Sequence, residues 1–159
     1  MGYTHYMKTE KEIPQDRWDE EFLPAVKLIL KTAQIGAWNI PLAGPSGEDN
    51  TSPVCAENRI MFNGVTADSY ETMGIERMPK EFYFCKTNRK PYDCVCVAIN
   101  LLAESLFDDY FSWSSDGQGE EGYDQEGKEL LKDAIGCGEL DRDSVAAAIK
   151  RCEQEVTQS

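Results

Sequence analysis

Tyr3, His5 and Met7 fall on one side of an extended opening segment (residues 1–8), and Thr4, Tyr6 and Lys8 fall on the other. That is the two-residue period of a strand. The period then lengthens. Trp18, Phe22, Val26, Ile29 and Ala33 recur at helical spacing, with Asp16 as N-cap, Gln34 near the end and Gly36 as the stop. Pro24 inside that pattern predicts a kink or a restart. Residues 37–42 read as a short extended piece, and residues 44–53 as a mobile loop. Residues 59–62 read as a strand with Ile60 and Phe62 on one side, closed by the turn signal Asn63-Gly64. Residues 65–79 are mixed, with Met73, Ile75 and Met78 as anchors.

The pattern is densest over residues 81–107. Phe82, Tyr83 and Phe84 suit a short strand ending near Lys86. Asn88, Arg89, Lys90 and Pro91 break regularity, and Pro91 suits the first turn of a helix. Val95, Ala98, Ile99, Leu102 and Leu106 then mark that helix, with Asp93, Asn100 and Glu104 as a narrow polar stripe. A helix this apolar is buried on most sides. Another strand follows over residues 108–113, with Phe111 and Trp113 opposite Tyr110 and Ser112, and Ser114 to Gly117 make a turn. Residues 117–127 form an acidic, flexible loop. Residues 129–135 form a helix stopped by Gly136. Asp141 or Asp143 caps a last helix striped by Val145, Ala148, Ile149, Cys152 and Val156. The expected fold is α+β: one domain over residues 1–159, with a small, mainly antiparallel sheet packed by the N-terminal helix and the central buried helix, and a helical C-terminus.

Charge changes the picture. The 159 residues carry a net charge of −13, which argues against nucleic acid as a main partner, with no duplex binding expected, and against an anionic membrane surface. No stretch is apolar enough to span a bilayer, the opening lacks a signal-peptide core, and Tyr6 stands where a myristoylation site needs Ser or Thr. The expectation is the cytosol, with the six cysteines reduced. Against this acidity, Arg77, Lys80, Lys86, Arg89 and Lys90 lie close together in sequence, just before a helix start whose free N–H groups attract anions. Conversely, between Pro91 and Gly127 there are nine carboxylates and no Lys or Arg.

Three chemistries compete for these residues. Zinc fits poorly. Cys94 and Cys96 diverge by about 200° on a helix, no C-x-x-C pair occurs and His5 is the only histidine. Neither a metal nor a cofactor is expected, nor is the calcium-loop spacing met by Glu120, Glu121, Asp124 and Glu126. Hydrolysis, as a phosphodiesterase or otherwise, would rest on His5 with Ser114, Ser115 and Asp116, but there is no nucleophile elbow and no second histidine. No catalytic residue is therefore assigned. A binding pocket uses the residues most fully. Lys86, Arg89 and Lys90 supply charge, Tyr3, Tyr6 and Tyr92 offer stacking surfaces, His5 can line the pocket, and Ser114, Ser115 and Asp116 can bond ribose hydroxyls or base edges.

Met1 to Tyr6 (MGYTHY), Cys85 to Asp93 (CKTNRKPYD) and Ser114 to Gly117 (SSDG) together resemble a group of small, uncharacterised proteins of phages and their bacterial hosts. Met7 departs from the group's usual Trp. The resemblance implies a phage setting and, by analogy, counter-defence by sequestering a nucleotide signal; it carries no catalytic residues. The leading expectation is a protein that binds a small anionic, nucleotide-like ligand. The alternative is an acidic module that blocks a host protein, and homo-oligomers fit either.

Overall fold

The computed structural model describes the backbone of residues 3–158 and the side chains of residues 3–155. Met1, Gly2 and the Val156 side chain of the expected last stripe lie outside the described residues. The fold is α+β with two small antiparallel sheets rather than one. Strand β1 (Thr4–Thr9) is central in the first sheet, between β5 (Lys80–Lys86) and β6 (Phe111–Ser115). The second sheet has the order β2 (Val54–Cys55), β3 (Arg59–Phe62), β4 (Met73–Glu76).

The first helical region begins at α1 (Gln15–Arg17), with Pro14 rather than Asp16 at the cap position. It widens into a π turn (Trp18–Phe22) and continues as α2 (Leu23–Gln34). Pro24 accounts for the widening. It has no N–H for the regular ladder, and the Leu23 N–H reaches back five residues to the Trp18 carbonyl. The expected Phe22, Val26, Ile29 and Ala33 stripe is fully buried.

Helix α3 (Asp93–Leu106) is the centre of the molecule, with eleven of its fourteen residues buried. It packs against α2, β6, α4 (Gln125–Ile135) and α5 (Arg142–Gln158). Its C-terminal end receives the Arg17 guanidinium, which donates to the Leu106 carbonyl and lies 5.0 Å over the Phe107 ring. Gly136, at φ 72°, ends α4, and the Asp141 carboxylate caps α5 by accepting the Ser144 N–H.

Several expectations need correction. Residues 37–42 form no strand: 37 and 38 end a turn and 39–42 are irregular, and Ala43 makes only an isolated bridge to Asn63. Asn63-Gly64 does not close a two-residue hairpin. The Asn63 side chain bonds both the N–H and the carbonyl of Tyr70, bracing the longer loop between β3 and β4. The 44–53 loop is anchored, since Gly47 is buried and Thr72 Oγ1 donates to the Pro45 carbonyl. Met78 is exposed rather than an anchor. Tyr110 lies just outside β6, and α4 starts at Gln125, within the expected acidic loop.

Gly127 sets how closely α4 approaches α3: a Cβ there would sit 2.4 Å from Val97 Cγ1 and 3.1 Å from the Ala98 nitrogen. Gly127→Ala gains helix propensity but must push two packed helices apart. We expect a net loss of about 1–3 kcal/mol in urea unfolding, because a packed core resists an added methyl.

Candidate functional site

Strand alternation sorts the sequence-predicted site residues into three environments. The odd-numbered residues Tyr3, His5 and Met7 of the opening segment face inward and are buried; Tyr6 and Lys8 face the other way. Ser115, at the end of β6, is buried and accepts the Gly117 N–H, while Ser114 and Asp116 are exposed. The Asp116 carboxylate is taken up within the protein, accepting the Tyr6 hydroxyl at 2.9 Å and the Thr4 N–H at 3.1 Å.

A cleft of about 320 Å³ opens at the start of α3. Tyr3 and the loop carrying Arg89 and Lys90 form one side. Asp93, Cys94 and Val97 of α3 form the floor, and Glu120, Glu121, Tyr123 and Glu126 form the far side. The Arg89 guanidinium lies 4.3 Å over the Tyr3 ring, and its Nη2 donates to Glu120 at 2.8 Å. That carboxylate pushes the Arg89 pKa up. Asn88 and Arg89 both take left-handed backbone, at φ 52° and 57°. Such a conformation is unfavourable for a residue as large as Arg, and it marks a loop held in place by its surroundings. Lys90 is half-buried and has no ion-pair partner among the described residues.

Behind the cleft lies a buried polar contact. His5 Nε2 meets Asp93 Oδ1 at 2.7 Å, and Thr87 Oγ1 donates to the same oxygen at 2.5 Å. A carboxylate oxygen accepts from both, which fixes the proton on Nε2. His5 is completely buried, edge-on to Tyr3 with ring centroids 5.3 Å apart and 5.7 Å from the Trp113 ring. Asp93 lies between it and the cleft, so His5 lines no open pocket and reaches no ligand there.

The rest of the expected cationic cluster disperses. Arg77 is buried and donates to Asn58, Glu12 and the Ile13 carbonyl. Lys80 lies over the Tyr83 ring and Lys86 over the Tyr70 ring, both away from the cleft. Tyr92 offers no stacking face. It is fully buried, edge-on to Phe62, with its hydroxyl on the Glu71 carbonyl. Burial pushes its pKa strongly upward. The helix start also has fewer free N–H groups than expected, because the Asp93 and Val95 N–H groups bond the Lys90 and Tyr92 carbonyls.

Of the ten site residues expected from sequence, the structure brings Tyr3, Arg89 and Lys90 to the cleft. Asp93 and the carboxylates at 120, 121 and 126 were not in that set. For Asp93 a signal existed: an inward-facing lone histidine needs a buried polar partner. Among the described residues no group of three or more His, Cys, Asp or Glu side chains is arranged to hold a metal ion. Cys94 borders the cleft as a thiol, with burial pushing its pKa up to about 12. No helix of the described residues is long and apolar enough to cross a membrane. No family model matches the chain, and no curated protein or solved structure shows significant similarity to it.

Asp93→Ala strands the His5 N–H and the Thr87 hydroxyl in the interior. Unfolding by urea should show a loss of about 1–3 kcal/mol, the cost of buried polar groups without partners. An unchanged midpoint would mean the contact contributes nothing.

Proposed function

We propose that the protein binds a small anionic, nucleotide-like molecule in the cleft beside α3 and holds it without turnover. The observation that carries this reading is the meeting of Tyr3, Arg89 and half-buried Lys90 in one concave site on a strongly acidic chain. Lys90 is free to take an anion. Arg89 is shared with Glu120, but that pair is exposed on both sides, so it is weak and exchangeable.

The carboxylates narrow the ligand. Asp93, Glu120, Glu121 and Glu126 outnumber the two cations, so a bare anion is disfavoured. A nucleotide brings its own donors. Its phosphate meets Lys90 and Arg89, and its ribose hydroxyls or exocyclic amine meet Glu121 and Glu126. Binding without turnover fits the two groups best suited to nucleophilic or acid–base work: the His5 ring is buried behind Asp93, and burial pushes the Cys94 thiol pKa up to about 12. The resemblance to phage proteins supplies the setting, sequestration of a nucleotide signal as counter-defence.

A second reading, an acidic module that docks on a basic host protein, draws support from Glu120, Glu121 and Glu126, all exposed along one rim.

Thermal-shift and titration calorimetry against cyclic and linear mono- and dinucleotides test the first reading. A nucleotide should raise the melting temperature of the wild type and of Lys86→Ala, which lies outside the cleft. Arg89→Ala and Lys90→Ala should each weaken binding about tenfold or more, the loss expected of a charge-assisted bond. The nucleotide should be recovered intact after incubation. If no nucleotide shifts the melting, or if the two cleft variants bind as wild type does, the reading fails.

A further inference from the structure

An open groove of about 610 Å³ runs between the C-terminal half of α2 and strand β2, and it shares no residue with the cleft. Helical pitch sets its first wall. Lys27, Leu30, Lys31 and Gln34 recur in steps of three and four, so they form one stripe beside the buried stripe of Val26, Ile29 and Ala33. Ile35, where α2 ends, adds an aliphatic side chain that is 56% exposed. Pro53 and Cys55 form the opposite wall.

Register adds backbone groups to that second wall. The Ala56 N–H bonds the Arg59 carbonyl, and the Arg77 N–H bonds the Asn58 carbonyl. Cys55 is opposite Ile60, and Ile60 is opposite Ile75. Antiparallel alternation then gives Val54 and Ala56 the bonds to β3, and it turns the Cys55 N–H and carbonyl away from β3. Strand β2 is the edge of its sheet, so this donor and acceptor lie on an open edge. Among the described residues no backbone group outside the sheet bonds them.

Charge decides what fits. The groove is lined by two lysines and no carboxylate. Neither lysine is in an ion pair among the described residues. The cleft, by contrast, sets Asp93 and three glutamates around its two cations. Lys27 lies near the far wall: burial raises the Cys55 thiol pKa, and the Lys27 ammonium pulls it down. A groove this open does not enclose a small molecule as small-ligand sites do. A second copy on a two-fold axis would set Lys27 and Lys31 against their own counterparts. An extended acidic peptide meets all the features at once. Its backbone pairs with the Cys55 edge, its carboxylates reach Lys27 and Lys31, and an aliphatic side chain covers Leu30 and Ile35.

We propose that the groove between α2 and β2 docks a short, extended, acidic segment of a partner protein. The proposal is independent of the nucleotide reading of the cleft, because the two sites have separate linings.

Selection from a displayed library of random heptapeptides, with the full chain as bait, tests it. Recovered sequences should be enriched in Asp and Glu and carry an aliphatic residue. A labelled synthetic heptapeptide of the recovered sequence should bind in fluorescence anisotropy, weaken as salt is added, and shift the Cys55 amide resonance. Lys27→Ala and Lys31→Ala should each weaken it about threefold, as exposed ion pairs give, and Ile35→Ala about fivefold through lost apolar contact. Arg89→Ala and Lys90→Ala should leave it unchanged. Lys27, Lys31 and Ile35 are exposed, so the variants should fold, as circular dichroism will report. Four results overturn the proposal: no enrichment of acidic sequences, equal binding by the doubly substituted Lys27→Ala, Lys31→Ala chain, an unmoved Cys55 amide, or a dimer of the wild type that Ile35→Ala dissociates.

Discussion

One oxygen ties the molecule together. Asp93 Oδ1 accepts from His5 of the central strand and from Thr87 of the loop after β5, and Asp93 itself opens α3. The first sheet, the left-handed loop and the buried helix are therefore registered against one another at a single point. Such a contact is costly to leave half-made in a low-dielectric interior. It fixes where Arg89 and Lys90 emerge, because their loop spans only from Thr87 to Asp93. It also keeps Asp93 from acting as a free carboxylate in the cleft, and it leaves His5 Nδ1 as the ring nitrogen without a protein partner.

The local elements were legible because each follows from a short-range rule. Alternation identified β1, β3 and the core of β6, the aromatic run at Phe82 to Phe84 identified β5, and helical spacing identified α3 and the buried stripe of α2. Pro24 announced an irregularity, and the structure resolves it as a π turn. What could not be read was who meets whom. The partners His5 and Asp93 are 88 residues apart, and Tyr6 and Asp116 are 110 apart. No periodicity encodes such pairings. The division of six strands into two sheets is non-local in the same way.

The site was partly legible, for a related reason. Arg89 and Lys90 follow a strand and precede a helix, so their exposure at a helix start could be anticipated. Tyr92 was expected to offer a stacking surface at the helix start. It lies, however, in step with Val95, Cys96 and Ile99, the buried stripe of α3, and packs inward with them. Arg77 looked like one of five neighbouring cations, but Asn58 and Glu12 draw it into the structure. Proximity in sequence gathered charges that the fold then separated.

That separation has an electrostatic consequence. In a chain of net charge −13, a cation attracts an external anion only where its neighbours do not already neutralise it. Arg77 is satisfied internally and Arg89 is shared with Glu120, whereas Lys90, Lys80 and Lys86 have no carboxylate within ion-pair distance among the described residues. Lys80 lies over the buried Tyr83 ring and Lys86 over the Tyr70 ring, both away from the cleft. Lys90 stands at the cleft, among carboxylates that demand donors from any ligand. At physiological salt, charges more than about 8 Å apart are largely screened from one another, so the overall acidity does not forbid anion binding there, and the acceptors around Lys90 decide which anion is taken.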